Sequence, residues 1–316
     1  MTKQKLGPFR LTPWFSKRPW GRLDLRPWYK STGTDEPVGE AWLTGPESVV
    51  ETGPMAGRTL AQVAAEAGEA LLGTGSGEDG QVGEFPLLVK LLFPSDKLSV
   101  QVHPDDAQAQ AMGQARGKTE CWYVLEAEPG ATIGLGLREG ATAEAVRAAI
   151  ADKTLEEMME WVPVAVGDMV FVDAGTVHAI GPGVVLLETQ QTSDTTFRMY
   201  DYGRPRELHV EQALRTMKTR TAAGKVAARK MDGFVRLIEQ QYFVVDRYDV
   251  AGAGEVIVPT HGAGCLVGLK GAAAVMDGPD GQVELTAGKA VVVPADCPSV
   301  MVETGAGVSF VKCWAP

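Results

Sequence analysis

GDMVFVDAGTVH, residues 167–178, and GKAVVVPADCPS, residues 288–299, are two copies of one sequence pattern. Each copy begins with a glycine and a charged residue, continues with apolar residues at matching positions, and turns through a short loop that contains alanine. Glycine tolerates a tight turn, and a short apolar run bounded by turn residues is typical of a buried strand. The loop then reverses the chain, so the last residue of each copy should point into the mouth of a β-barrel. The sequence therefore predicts a duplicated β-unit.

The two copies differ in their last residue, which is His178 in the first and Ser299 in the second. An imidazole is a good metal ligand, whereas a hydroxyl is a poor ligand for zinc. The form G-D-x-V-x-V-x-A-G-x-x-H resembles the signature of the cupins, which are small double-sheet barrels. We therefore expect two cupin-type (jelly-roll) β-barrels, of which only the first holds metal.

The rest of the chain fits a mainly β protein with inserted helices. Short alternating or apolar runs split by glycine and proline predict strands, and helical spacing predicts helices over residues 57–73, 105–116 and 141–161. Aromatic residues crowd the first 45 positions, which predicts a segment that wraps a barrel. The expected organisation is a wrapping segment plus metal-binding barrel with a helical insertion over 1–205, a helical connector over 206–235, and a second, metal-free barrel over 236–316.

Composition limits the classes of function. The 316 residues carry a formal net charge of −10. Since no broad basic stripe is present, we expect no nucleic-acid partner, and an anionic substrate would need its own cationic pocket. No apolar run approaches the ~20 residues of a membrane span. The N-terminus lacks a signal-peptide pattern, and the four cysteines show no C-x-x-C spacing. A cytoplasmic protein with reduced thiols is the expectation, and the oligomeric state is left open.

Four residues in strand contexts form a possible metal site. Gln101 and His103 lie at i and i+2 in LSVQVHPDD, so they should share one face of a strand, together with Ser99. Glu120 begins the strand ECWYVL, and His178 ends the first repeat copy. Nitrogen and oxygen donors of this kind suit a zinc ion and can leave one position open for water or substrate.

Each of these residues also has an ordinary structural interpretation. His103 precedes a proline and could be a turn histidine, and Gln101 could be an amide at the barrel edge. Glu120 could pair with Lys118 as a surface salt bridge. The combination of the four is more specific than any one of them.

Longer stretches carry a resemblance to a known family. LLVKLLFPSDKLSVQVHPDD, GKTECWYVL and GTVHAIGPGVVLLETQQTSDTTFRMYDYGR resemble the type I mannose-6-phosphate isomerases, especially their shorter bacterial branch. The resemblance implies two cupin barrels and interconversion of mannose 6-phosphate and fructose 6-phosphate. It also implies one Zn²⁺ ion bound by Gln101, His103, Glu120 and His178. Longer members carry a helical domain that is mostly missing here.

The resemblance also implies roles for other residues. The family's active-site lysine matches Lys118, and a glutamate ten residues before an arginine matches Glu188 and Arg198. Isomerisation of this kind passes through an enediol and needs an acid/base group and a group that stabilises the developing oxyanion.

The residue for each role is a hypothesis. The candidates for binding the phosphate are Arg198, Lys118 and Ser99, with Lys97 less favoured. Arg198 could instead act as a catalytic residue that assists at the developing charge, so its role at the phosphate or at the reacting carbons stays open. Glu188, whose pKa burial would raise, is a candidate base. Asp194 and a zinc-bound hydroxide are its rivals. Alternatively, Glu188 forms a buried salt bridge with Arg198, or Arg198, Tyr200 and Asp201 form a structural turn network; Lys90 is interpreted as structural.

Two other functions remain to be compared. Two histidines and a carboxylate also form the facial triad of non-haem Fe(II) oxygenases, although Gln101 would then fill a position that oxygen needs. A non-catalytic sugar-binding cupin is the other alternative. Because cupins host many reactions, the fold alone does not decide among these functions.

Overall fold

The structure, a computed structural model, describes residues 6–73, 83–278 and 281–316. Within these ranges the protein consists mainly of antiparallel β-strands in three sheets of eleven, seven and five strands. The prediction of a mainly β fold with inserted helices is confirmed.

The strands and helices have the following bounds. The strands are β1 Phe9–Thr12, β2 Trp14–Arg22, β3 Val38–Trp42, β4 Val49–Val50, β5 Leu87–Leu92, β6 Val100–Val102, β7 Glu120–Ala127, β8 Thr132–Leu137, β9 Met159–Pro163, β10 Met169–Val172, β11 His178–Ile180, β12 Val184–Gln191, β13 Phe197–Tyr200, β14 Gly224–Val226, β15 Arg229–Lys230, β16 Val235–Glu239, β17 Val244–Val250, β18 Gly254–Pro259, β19 Gly264–Met276, β20 Gln282–Thr286, β21 Ala290–Val293, β22 Ser299–Thr304 and β23 Val308–Trp314. The α-helices are α1 Leu60–Ala67, α2 Glu69–Leu72, α3 Asp106–Ala111, α4 Ala143–Ala151 and α5 Val210–Thr216, and a 3₁₀ turn covers Leu155–Met158.

The two copies of the sequence pattern have the same local structure. Gly167 and Gly288 adopt φ values of 94° and 76°, which only glycine adopts readily, and each opens the turn before a buried strand, β10 or β21. After the loop, His178 begins β11 and Ser299 begins β22. The last residue of each copy therefore starts the next strand.

Strand order and register match between the two large sheets. The seven-stranded sheet runs β14-β10-β7-β12-β5-β3-β2, and the eleven-stranded sheet contains the path β1-β21-β19-β23-β17-β16-β15. On β12, Glu188 lies opposite Lys90 of β5, and on β23, Lys312 lies opposite Asp246 of β17. Both charged residues are the fifth residue of their strands, which each follow a glycine with positive φ. The buried ion pair thus occurs at the same place in both sheets with the charges exchanged.

Alternation along the strands divides the core into layers. On β7, Cys121 and Tyr123 pack into an apolar cluster shared with the eleven-stranded sheet. Trp122 and Val124 point the other way, into a cluster shared with the five-stranded sheet. Because both faces of the seven-stranded sheet are covered, its strand β5, LLVKLL, is buried along its whole length, and Lys90 is the one polar residue in it.

Two predicted helices are shorter than expected. The helix expected over 141–161 ends at Ala151, and Lys153, two residues later, takes a φ of 62°. The chain then forms strand β9, which pairs with β8 and buries Met159. The helix expected over 105–116 covers only Asp106–Ala111 and is capped by the side chain of Asp105. The helix expected over 57–73 is present as α1 and α2, which Gly68 separates.

The helical connector predicted over 206–235 is wrong beyond Thr216. After α5 the chain forms β14, which adds an edge strand to β10, and then β15, which pairs with β16. Lys225 of β14 also pairs with Asp168, with Nζ and Oδ2 2.7 Å apart. Edge pairing here overrides the helix propensity of the Ala, Lys and Arg residues. At the other end of the chain, β1 of the predicted first domain pairs with β21 of the predicted second one. Strand pairing therefore joins all three of the regions that the sequence predicted as separate.

Among the described residues, no helix has the length and apolar character that a membrane span requires.

Candidate active site

The possible metal ligands lie on or next to three strands, β6, β7 and β11, that the fold brings together. His178, the first residue of β11, lies opposite Gln101 of β6. His103 directly follows β6, and Glu120 begins β7. His103, Glu120 and His178 are each about 1% exposed, and their ligand atoms all lie within 4.8 Å of one another. The structure therefore brings together residues that are far apart in the sequence.

The distances within this cluster suit one small cation. Glu120 Oε1 lies 3.3 Å from His178 Nε2, and Glu120 Oε2 lies 3.6 Å from His103 Nε2. Two donors about 2.1 Å from a tetrahedral zinc ion would be about 3.4 Å apart. The Gln101 amide also reaches the cluster, with Nε2 3.2 Å from His178 Nε2. A half-turn of that amide would present its oxygen instead.

The surrounding hydrogen bonds prepare both histidines for metal binding. His103 Nδ1 donates to Thr195 O and His178 Nδ1 donates to Thr176 O, each at 2.9 Å. Each bond fixes the tautomer that leaves Nε2 as a lone-pair donor facing the cluster. Burial lowers the pKa of His103 and lowers that of His178 to about 4, so both rings are neutral at neutral pH.

Two buried polar atoms in the cluster are poorly satisfied within the described ranges: His103 Nε2 has no hydrogen-bond partner, and Glu120 Oε2 has only the Lys118 ammonium, at 3.1 Å, close to it. An unpaired buried polar atom costs free energy, and a charged one costs more. A bound cation would satisfy both atoms together. The donor set therefore fits a divalent metal ion.

Charged residues surround the cluster. Lys118 Nζ lies 3.1 Å from Glu120 and 4.0 Å from Glu188, and Lys90 Nζ lies 3.3 Å from Glu188. All four side chains are at most 5% exposed. Burial alone would lower the pKa of Lys118, but the Glu120 and Glu188 carboxylates raise it, so Lys118 stays an ammonium. Burial raises the pKa of Glu188.

A cavity of about 400 Å³ opens onto these groups. It is lined by the predicted residues Ser99, Gln101, Lys118, Glu120, Glu188 and Arg198, and by Asp194. Ser99 Oγ lies 3.4 Å from Gln101 Oε1. Arg198 on β13 is the cross-strand neighbour of Gln101. Its Nη1 donates to Glu207 O at 2.9 Å, while its buried Nε has no partner among the residues that the structure describes.

Several structural alternatives can now be compared with the geometry. Glu120 does pair with Lys118, but the pair is buried and not on the surface. Glu188 pairs with Lys90, and no ion pair to Arg198 occurs in the described part of the chain. Asp201 pairs with Arg204 and Arg206. The Arg198 guanidinium is therefore part of neither an ion pair with Glu188 nor the ion pairs that Asp201 forms.

Sequence analysis missed other residues of the cavity. Lys90, interpreted as structural, lines the cavity beside Glu188, and so do Arg18, Glu40 and Arg206. Glu40 accepts hydrogen bonds from Arg18 Nε at 2.8 Å and Trp42 Nε1 at 2.6 Å. The one signal for Lys90 was a lysine inside an otherwise apolar strand.

Comparisons with known proteins agree in one family. Residues 9–135 match the family model for the catalytic domain of type I phosphomannose isomerase. A mannose-6-phosphate isomerase of Streptococcus mutans is 37% identical over 259 residues, which cover 78% of this chain and 80% of that protein. A mannose-6-phosphate isomerase of Bacillus subtilis, ManA, is 34% identical over 79% of this chain and 81% of its own length.

Solved structures agree with the sequence matches. The crystal structure of a mannose 6-phosphate isomerase from Bacillus subtilis superposes with a TM-score of 0.84 at 29% identity, covering 98% of this chain and 100% of that one. A phosphomannose isomerase from Salmonella typhimurium shares the fold, with a TM-score of 0.78 at 17% identity over 98% of this chain and 100% of its own.

Proposed function

This chain is an isomerase that belongs to the mannose-6-phosphate isomerase family, and we propose that it interconverts mannose 6-phosphate and fructose 6-phosphate with one Zn²⁺ ion. The proposed ligands are Gln101, His103, Glu120 and His178. The observation that carries the proposal is the buried His103–Glu120–His178 cluster, in which His103 Nε2 has no hydrogen-bond partner among the described residues and which opens onto a cavity rich in cationic groups.

The proposed organisation is two cupin barrels, with the ion in the first. The matching strand order and register of the two large sheets support it. In the proposed second barrel, Ser299 takes the place of the ligand His178 and offers a hydroxyl, a poor zinc ligand, instead of an imidazole. Lys312 takes the place of the proposed base Glu188 and adds a positive charge. One ion per chain is expected.

In the proposed mechanism, the residues around the ion bind the sugar and move the proton between C2 and C1. When bound, zinc would supply a Lewis acid that polarises the sugar oxygens at C1 and C2. Glu188 would take the proton from C2 and return it to C1, while a second proton passes from the C2 hydroxyl to the C1 oxygen, so that the substrate passes through an enediol. Lys90 and Lys118 hold the Glu188 carboxylate in place, and Lys118 contributes positive charge beside the developing oxyanion.

The phosphate group requires fixed cations, because the protein as a whole is acidic. We assign Arg198 as the main substrate contact, with Ser99 and Lys118 as further substrate-binding groups. The Arg198 Nε that lacks a partner supports this assignment, because an anion would satisfy it. Arg18 and Arg206 line the same cavity and add to its positive potential.

The direct test is a coupled assay for fructose 6-phosphate formed from mannose 6-phosphate, run before and after chelation. We expect turnover that the chelator abolishes and that added Zn²⁺ restores. Metal analysis of protein purified without added metal should find about one zinc per chain. Oxygen consumption with bound iron and no isomerisation would instead support the oxygenase.

Replacing Arg198 by alanine should weaken substrate use and leave the metal in place. Hydrogen bonds to charged groups contribute about 1.5–3 kcal/mol each, so kcat/KM should fall by about 10- to 150-fold. Arg198→Lys should recover only part of this loss, since an ammonium does not reproduce the planar fork of the guanidinium. Steady-state kinetics with metal analysis check this. Normal kinetics of the alanine variant would show that Arg198 only supports the chain turn.

A further inference from the structure

The segment Gly117–Glu120, which carries Lys118 and Glu120, is tied to the C-terminal half of the chain. We propose that Tyr242 and Asp106 are positioning residues that fix this segment and so set the places of the Glu120 carboxylate and the Lys118 ammonium. The inference rests on the proposed function of these two groups. It gives residues 236–316 a part in the reaction although none of them lines the cavity.

Asp106 is the centre of the connection. The Tyr242 hydroxyl donates to Asp106 Oδ2 at 2.6 Å across 136 residues of sequence. The other carboxylate oxygen, Oδ1, accepts from Gly117 N at 2.7 Å and from Gln191 Nε2 at 3.0 Å. One carboxylate therefore joins the β16–β17 turn, the start of the Gly117–Glu120 segment and the end of β12.

The segment is held at each of its first three amide groups. Gly117 N donates to Asp106, Lys118 N donates to Pro104 O at 2.9 Å, and Thr119 N donates to Gln191 Oε1 at 2.9 Å. Gln191 N in turn donates to Thr119 O at 3.2 Å. Asp106 therefore acts on the segment twice, directly at Gly117 and through the Gln191 amide at Thr119.

Packing at Gly117 leaves little room for another arrangement. A Cβ atom at this position would lie 2.5 Å from the carbonyl carbon of Asp105 and 2.7 Å from Asp106 N. The backbone of the segment thus lies directly against the turn that begins α3. A shift of Asp106 would therefore move the backbone at Gly117 and, along the segment, the position of Glu120.

The donor and acceptor roles hold across neutral pH. Partial burial and the Asp106 carboxylate raise the pKa of Tyr242 to about 12, so its hydroxyl keeps its proton. Burial would raise the pKa of Asp106, but hydrogen bonds from Tyr242, Gly117 and Gln191 lower it, so it stays ionised. A charge-assisted bond of this kind is stronger than a neutral one.

Partners that orient a metal ligand typically change metal affinity or activity by about 10–100-fold when they are removed. Tyr242 acts through Asp106, so the effect of Tyr242→Phe should be at the lower end, on the order of 10-fold in kcat and in metal affinity. KM for mannose 6-phosphate should change less than twofold, because Tyr242 does not line the cavity. Metal affinity is measured by competition with a chelator, without substrate.

Tyr248→Phe is the matched control. Tyr248 belongs to the same half of the chain, and its buried hydroxyl has no hydrogen-bond partner among the described residues. Its removal should leave kcat and metal affinity unchanged. If Tyr242→Phe, folded with an unaltered unfolding temperature, matched Tyr248→Phe in both measurements, the proposal would be overturned.

A double-mutant cycle tests the route through Asp106. Asp106→Ala should lower kcat and metal affinity at least as much as Tyr242→Phe, and the double variant should be no worse than Asp106→Ala. Full additivity of the two changes would show that Tyr242 acts elsewhere and would refute the proposal. Chelator competition gives this answer even if the wild-type protein fails to isomerise mannose 6-phosphate, so the two proposals fail separately.

Discussion

Replacing His178 with alanine should remove the metal ion and the isomerase activity together. His178 is fully buried, its Nε2 faces Glu120 at 3.3 Å, and its Nδ1 is held by Thr176 O. Without this imidazole, three donors remain for an ion that is otherwise four-coordinate or more. We expect metal affinity to fall by at least about 100-fold and turnover by more than about 1,000-fold. Metal analysis after gel filtration and the coupled assay measure both.

His261→Ala is the control for this variant. His261 is an exposed histidine in the C-terminal half, beside Trp314 and away from the Glu120 cluster. This variant should keep its metal and its activity. Full activity of His178→Ala with one bound metal ion would contradict the proposed site.

Much of the site was predictable because short-range strand geometry fixes it. Gln101 and His103 share a face since side chains two apart on a strand point the same way. His178 follows a glycine turn, a strand and a loop whose lengths are set by the repeated pattern. Turn chemistry and the period of two along a strand are enough to predict that these residues share one site, without knowing which strand pairs with which.

Lys90 could not be assigned in this way. Its role depends on the register between β5 and β12, which places it opposite Glu188, 98 residues later. A lysine in an apolar run is equally consistent with an edge strand. The Tyr242–Asp106 bond is of the same kind, because it depends on how the two large sheets pack. Long-range register and packing are not encoded in local periodicity.

The prediction of a helical connector over residues 206–235 was wrong for a related reason. Residues 217–230 contain good helix formers, and propensity is a weak prior that tertiary context overrides. Here β14 pairs with the edge strand β10. This pairing satisfies N–H and C=O groups of the segment that would otherwise be paired within a helix. The outcome was decided by a neighbouring strand and not by the segment itself.

The register of the two large sheets also bears on why the proposed base lies in the first of them. The buried pair Lys90–Glu188 corresponds to Asp246–Lys312, with the charges exchanged. Lys312 donates to Pro259 O at 2.8 Å, and burial lowers its pKa to about 8. A cation thus lies where the first sheet carries its proposed base. The second sheet therefore offers no carboxylate at the position that corresponds to Glu188, in keeping with a proposed proton transfer in the first sheet alone.

Replacing Glu188 with glutamine should stop proton transfer while leaving the binding of the metal ion and of the sugar phosphate unchanged. The amide has the same shape and can still accept a hydrogen bond from Lys90, but it is not a base. General-base catalysis contributes about 10²–10⁴-fold, so kcat should fall by about 1,000-fold or more. Metal content and the Kd for mannose 6-phosphate, measured by calorimetry, should change less than twofold.

Deuterium exchange separates Glu188 from its rivals. In D₂O the wild-type protein should exchange the C2 hydrogen of mannose 6-phosphate, followed by proton NMR, and Glu188→Gln should not. Glu126→Gln is the control, because Glu126 lies on the neighbouring strand β7 and bonds to the Trp28 indole outside the cavity. Exchange at the wild-type rate in Glu188→Gln would reassign the base, with Asp194 next in line since it lines the same cavity. A loss of exchange together with a loss of bound metal would instead make Glu188 a support of the metal site.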